Sequence, residues 1–454
     1  MAKVQPRTLS GFMELLPAPQ QQLERMMDIL RKTYALYGFT PLDTPVIEAS
    51  EVLLAKGGGE TEKQIYRFQK GDADLALRFD LTVPLAKYVA LHYNDLSFPF
   101  RRYQIGKVWR GERAQRGRFR EFYQADIDII GDGKLSITNE AEIPSIIYKT
   151  FSTLGLRRFQ IRVNNRKILN GFYAMLGLSE QSGDIMRTVD KLDKIGADEV
   201  AKLLVEGCGA DEAQARACLE LAELTAADGK ELSDKFDALC AKHDIASDSD
   251  AYVLARQGLD TLAMIVDEAA RIRPGSVIAD LKIARGLDYY TGSVYETFLD
   301  GAAALGSICS GGRYDNLASQ GNKKYPGVGL SIGLSRLVSY MLHTAGAHAN
   351  RVSPASVLVA VWNEADRSAS NLIANQLRSR GIAADVAPTA AKLGKQIKYA
   401  DKLGIPYVWF PADASEEGAQ DEVKNIITGD QRPADAQSWE PDTVYAQQTV
   451  TVEA

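Results

Sequence analysis

The chain has 454 residues, 45% hydrophobic and 25% charged, a composition that fits a globular protein of two to four domains with sizeable cores. Lys and Arg total 53 against 59 Asp and Glu, a formal net charge of -6, which argues against a protein that coats nucleic acid non-specifically and confines any polyanion site to a local basic surface. No apolar run approaches the roughly eighteen residues a membrane helix needs, and the opening MAKVQPRTLSGF carries no apolar segment.

The expectation is therefore a cytoplasmic protein, neither secreted nor inserted in a membrane. Cys208, Cys218, Cys240 and Cys309 lack CxxC pairing, so they are expected to be reduced and partly buried rather than bridged or bound to zinc. Its four histidines are dispersed, which argues against a His-based nucleophile, and no metal-ligating residues are assigned.

In chain order, residues 18–37 place Leu23, Met26, Met27, Leu30, Tyr34 and Tyr37 on one helical face, with Gly38 as the stop. Pro41 and Pro45 then remove two backbone donors, so FTPLDTPVIEAS reads as an edge or interface strand. KGGGETEKQ reads as a turn containing Glu60 and Thr61; it lacks the GK[ST] ending of a phosphate loop. A strand through LALRFDLTVP leads into a helix near Pro84, and alternation over Arg101–Trp109 and Ala125–Ile130 predicts antiparallel strands with one face buried. From Leu178 to Ala270 the texture is helical and charged, an inserted helical module. Strand patterns return at SVIADLKIARGLDYYTGSVYETFL, at GSICSGGRYDNLA and at VGLSIGLSRLVSYML, the last running into a helix. After a linker near 345–354, strands and helices alternate as in a small α/β domain. The domain reading is a core in two parts, 1–170 and 275–345, a helical insertion at 171–274, and a C-terminal unit at 346–454.

The stretch WRGERAQRGRFREFYQADIDIIG changes from cationic to anionic. A strand presenting Arg110 and Glu112 on one face offers a guanidinium to a phosphate and a carboxylate to an amino group, a combination suited to ATP, and Arg118 adds a second phosphate contact. The alternative is a solvated face of ion pairs. Gln124, Asp126 and Asp128 follow at alternating positions and share a sheet face; carboxylates buried there need a cationic partner, and a substrate ammonium would serve. In IARGLDYYTGSVYETF, two consecutive tyrosines on a strand point to opposite faces, so only a bulge or turn would bring both into one pocket. Asp80 in RFDLTVP reads either as a helix N-cap or as a ligand-binding group with Thr82.

Here the sequence resembles a known family. WRGERAQRGRFREFYQADIDIIG is similar to motif 2 of class II aminoacyl-tRNA synthetases, and FREFYQADIDIIG with RGLDYY resembles the histidyl-tRNA synthetase family in particular. The resemblance implies a class II synthetase fold: an α+β catalytic core built on a mainly antiparallel sheet, a helical insertion, and a C-terminal α/β anticodon-binding domain, the last resembled by KQIKYADKLGIPYVWF. Lys392, Lys395, Lys398 and Lys402 give that domain local positive charge.

Carried onto this chain, the resemblance implies that Arg110 contacts the α-phosphate of ATP, Glu112 reads the adenine amino group and Phe122 stacks on the base. Arg118 and Arg336 would hold the outer phosphates, the latter in GVGLSIGLSRL, which resembles motif 3. That motif departs from the family pattern in carrying Ser335 before the arginine, which leaves open what orients Arg336. Asp80, Thr82, Gln124 and Asp128 match positions that hold the ammonium of histidine, Tyr289 and Tyr290 match residues lining the imidazole pocket, and Arg285 would sit at the reacting carboxylate. The helix followed by YGFTPLDTPVIEASEVL resembles motif 1, implying a homodimer. The implied reaction joins L-histidine, through ATP with Mg²⁺, to the 3′ end of tRNA(His). The rival reading is a non-catalytic histidine-sensing regulatory paralogue of histidine biosynthesis, which would lack the C-terminal domain and lose the signature residues.

Overall fold

Alternating apolar and polar residues over 100–130 form the longest strand pair of the molecule, Phe100–Trp109 against Glu121–Ile130, antiparallel with Phe100 opposite Ile130 and Trp109 opposite Glu121. A computed structural model describes residues 5–55, 60–113, 117–283, 289–319, 323–413, 418–446 and 450–451. Among these the main sheet has nine strands in the order Thr40–Pro41, Phe100–Trp109, Glu121–Ile130, Gly327–Gly333, Cys309–Tyr314, Ser293–Leu299, Phe159–Asn165, Val277–Asp280 and Thr225–Ala226. Pairing is antiparallel except for Thr40–Pro41 beside Phe100–Trp109 and Phe159–Asn165 beside Val277–Asp280. The proline-bearing Thr40–Pro41 lies at the sheet edge, where its missing donor costs no ladder bond.

Register decides what shares a face. Directly opposed residues point the same way, so Gln104, Asp126, Ser331, Ser310 and Glu296 form one row across five strands. Arg102, Asp128, Gly329 and Gly312 form the next row. The opposite face is apolar, and Tyr34 of the helix Pro17–Leu36 packs there against Tyr103, ring centroids 5.7 Å apart, with its hydroxyl donating to Ala125 O.

Three sequence expectations are corrected by the backbone. The predicted strand over 276–299 is two strands, Val277–Asp280 and Ser293–Leu299. The strand carrying Arg110 and Glu112 ends at Trp109, because Gly111 N donates to Gln64 O rather than across the hairpin. Glu60–Gln64 is a short helix instead of a turn.

Helices from Arg166–Met175 to Asp250–Ile272 make up the expected helical segment. The long Asp250–Ile272 helix packs on Arg166–Met175 at glycines: a Cβ on Gly258 would stand 2.8 Å from Ile168 N, and one on Gly171 2.6 Å from Ala251 O. The segment is tied to the main sheet by the two-residue strand Thr225–Ala226, which the sequence did not suggest. All four cysteines are free and buried.

The chain divides into two compact units, one built mainly on Met27–Tyr340 and the other on Glu14–Met26 with Met341–Glu453. The second carries a five-stranded sheet in the order Ala384–Val386, Val357–Val359, Tyr407–Phe410, Glu422–Asn425 and Gln431–Pro433, its first three strands parallel. Val357, Val359 and Trp409 enter one core and Leu358 and Val408 another, so both faces are covered and the strands read as unbroken apolar runs. Among the described residues no helix is long and apolar enough to cross a membrane.

Candidate active site

Two adjoining cavities open on the polar face of the main sheet. The smaller, about 210 Å³, is floored by Gln124, Asp126 and Asp128, which the two-residue period of the Glu121–Ile130 strand turns to one side. Gly329 leaves room for this floor, since a Cβ there would lie 2.3 Å from Asp128 Oδ1. Asp80 and Thr82 enter from the start of the helix Thr82–Leu91, and Tyr289, Tyr290 and Tyr314 close the wall.

Asp80 bonds the start of a helix and also faces the cavity. Its Oδ1 accepts from Val83 N at 3.1 Å, in the first turn of the Thr82–Leu91 helix, while among the described residues Oδ2 is buried without a partner. Gln124 Oε1 and Asp126 Oδ1 are likewise buried and unpartnered. Burial is the main cause that pushes the Asp80 carboxyl up to about 6 and the Asp126 carboxyl up to about 7. Asp128 is also raised by burial, but it is already matched: Arg102, fully buried and directly opposite, stands 2.6 Å away, and Tyr314 donates to Oδ1 at 2.7 Å. The strand register thus gives Asp128 a cation from the protein itself while it still lines the cavity.

Tyr289 and Tyr290 do line one pocket, and a turn brings them there, with ring centroids 5.1 Å apart and edge to face. Burial pushes both phenols up, so they remain neutral hydrogen-bonding groups. Tyr290 lies against Gly312, where a Cβ would come 2.8 Å from the ring.

The larger cavity, about 450 Å³, carries Arg110, Arg118 and Arg336 together with Glu112 and Phe122. Arg110 sits 5.2 Å from the Phe122 ring centroid and donates from Nε to Phe79 O. Arg336, in the first turn of Leu334–His343, donates to Gly117 O and Ser307 O. Burial and the neighbouring Arg118 and Arg110 hold its guanidinium below the usual range, the condition of a cationic cluster lacking its anion. Arg118 Nε pairs with Glu112 Oε2. Ser335 does not touch Arg336 through its hydroxyl but accepts from Tyr123 N at 2.9 Å, prolonging the ladder between the two strands past Gly333.

Arg110, Gln124, Ser310 and Ser331 line both cavities and so form their common wall. Arg285 lies outside the described residues. Sequence reasoning passed over several lining groups. Asp126 had the right parity but was not assigned a role, Tyr314 follows the Gly-Gly-Arg run, and Glu296 and Asp190 face the larger cavity. Asp190 comes from the helical segment, and no local signal announces it. Arg313 is engaged in ion pairs, binding Glu140 at 2.7 Å and Asp315 at 3.0 Å.

A cationic chamber thus lies beside an acceptor-rich one, and comparison with known proteins identifies the family. The family model "Histidyl-tRNA synthetase" matches residues 11–337, and "Anticodon binding domain" matches 356–437. A histidine–tRNA ligase of Bifidobacterium longum subsp. infantis is 68% identical over 98% of this chain and 99% of its own length. One from Clostridium tetani is 48% identical over 94% of this chain and 95% of its own length. The crystal structure of histidyl-tRNA synthetase from Nostoc sp. superposes with a TM-score of 0.83 at 37% identity, covering 96% of this chain and 98% of that one. A Bacillus halodurans structure, described as an ATP phosphoribosyltransferase regulatory subunit/histidyl-tRNA synthetase, matches with a TM-score of 0.70 at 18% identity over 86% of this chain and 96% of its own, a likeness of fold alone. By the extent of the family model and of these alignments, the chain belongs to the histidyl-tRNA synthetase family.

Proposed function

We propose that the two chambers divide the family's reaction between them: ATP in the larger, histidine in the smaller, and the phosphorus–oxygen exchange at their common wall. The reaction is ATP-dependent activation of histidine to histidyl-adenylate, followed by transfer to the 3′ end of tRNA(His). The observation that carries this division is the contrast in unmet demand. Among the described residues three guanidiniums crowd one cavity, while three buried acceptor atoms, Asp80 Oδ2, Gln124 Oε1 and Asp126 Oδ1, are unpartnered in the other. A polyphosphate answers the first, and an ammonium with its three N–H donors answers the second.

Arg110, on the common wall, is assigned the α-phosphate, where the attacking carboxylate and the phosphate bring two anions together and a fixed guanidinium stabilises the crowded charge. Arg118 and Arg336 take the outer phosphates, Glu112 the adenine amino group and Phe122 the face of the base. Asp80, Thr82 and Gln124 hold the ammonium, with Asp128 fixed beneath them, and Tyr289 and Tyr290 line the imidazole. Arg285 is assigned the reacting carboxylate on the strength of the RGLDYY resemblance.

ATP enters as its magnesium complex. Glu296 and Asp190 face the nucleotide cavity, and burial with the nearby Asp190 and Asp280 pushes Glu296 up to about 7. Glu296 and Asp190 would be the groups to hold a divalent cation, which would supply charge neutralisation to the phosphates.

Exposed apolar side chains at Leu36, Ile47, Phe68 and Leu91 support pairing of two copies, in keeping with the motif 1 resemblance. The domain limits 1–170, 171–274, 275–345 and 346–454 and a cytoplasmic location complete the reading. The regulatory alternative is not favoured, given curated ligases 68% identical along nearly the whole chain and a matched anticodon-binding domain.

Pyrophosphate exchange with each standard amino acid in turn tests the reading. Histidine alone should support exchange, and Arg285→Ala should abolish it while the protein stays folded. Exchange retained by that variant would overturn the role given to Arg285.

A further inference from the structure

Asp126 is the least accounted-for charged group in the amino-acid chamber. It is 2% exposed, its Oδ1 has no partner, and it lines the cavity midway along the floor between Gln124 and Asp128. Among the described residues it forms a side-chain hydrogen bond with Ser331, whose Oγ in turn accepts from Gln124 Nε2 at 2.8 Å.

The charged groups around it can be counted by element. The neighbouring strand brings Arg102, which is already engaged by Asp128 at 2.6 Å. The start of the Thr82–Leu91 helix brings Asp80, the hairpin brings Arg110 at the mouth, and Tyr289, Tyr290 and Tyr314 face the chamber as neutral phenols. From the apolar side of the sheet, Tyr34 and Cys309 lie near enough to feel its charge, and burial keeps both protonated. Among the described residues three carboxyls thus share two guanidiniums, and one of these is committed.

We propose that Asp126 is a further substrate-binding carboxyl of this chamber: it is protonated when the chamber is empty, and it releases that proton to solvent and accepts a hydrogen bond from histidine when the amino acid binds. The proposal rests on the assignment of this chamber to histidine. Geometry argues for it in two ways. A carboxylate buried without a counter-ion is costly, so the empty site favours the neutral acid. An arriving ammonium supplies the missing cation and reverses that preference. Burial first, with Asp128 and Asp80 adding to it and Arg102 opposing, brings the carboxyl to about 7, so the switch falls in the physiological range. The sign follows: histidine favours the ionised form, so its affinity rises as pH climbs from 6 to 8, and its binding releases protons within that window.

Titration calorimetry of histidine into the full-length protein at pH 7, in two buffers of different ionisation heat, reads the proton count directly. Wild type should release about half a proton more than Asp126→Asn, whose amide cannot ionise. At pH 8 the variant should bind histidine about tenfold more weakly, the loss of one charge-assisted hydrogen bond, and the gap should narrow towards pH 6. Equal proton counts and equal affinities across that range would overturn the proposal. Ser331→Ala provides a test that does not depend on folding of the Asn variant. It removes the hydrogen bond that favours the ionised carboxylate, so the midpoint of the pH dependence should move upward, and an unmoved midpoint would also count against Asp126. Wild type that neither binds histidine nor supports exchange would instead overturn the chamber assignment itself.

Discussion

Glu112 and Arg118 illustrate how a residue's partner in the empty site differs from the partner its chemistry is suited to. The resemblance gives Glu112 the adenine amino group and Arg118 an outer phosphate, yet here they bind each other across the nucleotide cavity. Arg118 is about half exposed, with 49% of its side chain accessible, so the pair is screened and is worth no more than about 1 kcal/mol to the fold. It can therefore open when ATP offers both partners something stronger. Arg118→Ala should raise the KM for ATP in pyrophosphate exchange about tenfold, the value of one charge-assisted contact, with the KM for histidine and the melting temperature unchanged. An unaltered KM for ATP would remove Arg118 from the phosphate site. At this scale the sequence was most legible where a two-residue period alone sets direction, as for Gln124, Asp126 and Asp128. It was least legible where two strands must first be put in register, as for the pairing of Arg102 with Asp128.

At the scale of elements, the Tyr289–Tyr290 turn shows what a motif leaves unsaid. The sequence required a turn to bring both rings to one pocket but gave no sign of what holds it. The structure supplies anchors on its C-terminal side. Arg166 Nη1 donates to Tyr290 O at 2.8 Å, Thr291 N donates to Arg313 O at 2.8 Å, and Thr291 Oγ1 donates to Asp315 Oδ2 at 2.5 Å. Arg313 and Asp315 bind each other, and Arg313 is fixed in turn by the buried Glu140. These residues lie far apart in the chain, which is why composition and spacing around RGLDYY could not reveal the latch. Thr291→Val keeps the shape and removes the hydroxyl, leaving Asp315 short of one donor. It should raise the KM for histidine several-fold, about 1 kcal/mol, while sparing the KM for ATP, and Thr291→Ser should restore wild-type behaviour. Loss of both substrates' affinities together would point to general loosening rather than to a turn that positions Tyr290. Asp190 and the strand Thr225–Ala226 belong to the same lesson, since only tertiary packing brings the helical segment to the sheet and its cavity.

Across the whole molecule, an acidic chain that must hold RNA has to concentrate its positive charge, and one helix of the second unit presents a row of exposed lysines. Along Leu393–Leu403 the buried side carries Gln396 and Ala400, while Lys395, Lys398 and Lys402, with Lys392 at the N-cap, are exposed. Gln396 fixes the helix to the neighbouring strand end by bonding both the N–H and the carbonyl of Val361, so the lysines are presented from a rigid support. The described residues that line the two cavities, by contrast, all belong to the Met27–Tyr340 unit. Reversing the four lysines to glutamate should therefore leave histidine-dependent pyrophosphate exchange unchanged. The KM for tRNA in aminoacylation should rise by at least about tenfold near 0.15 M salt, and its salt dependence should become shallower as phosphate contacts are lost. Exchange measured beside aminoacylation on the same preparation checks this: a parallel fall in both would show that the substitutions damage the catalytic unit, and unchanged aminoacylation would exclude the helix from the RNA surface.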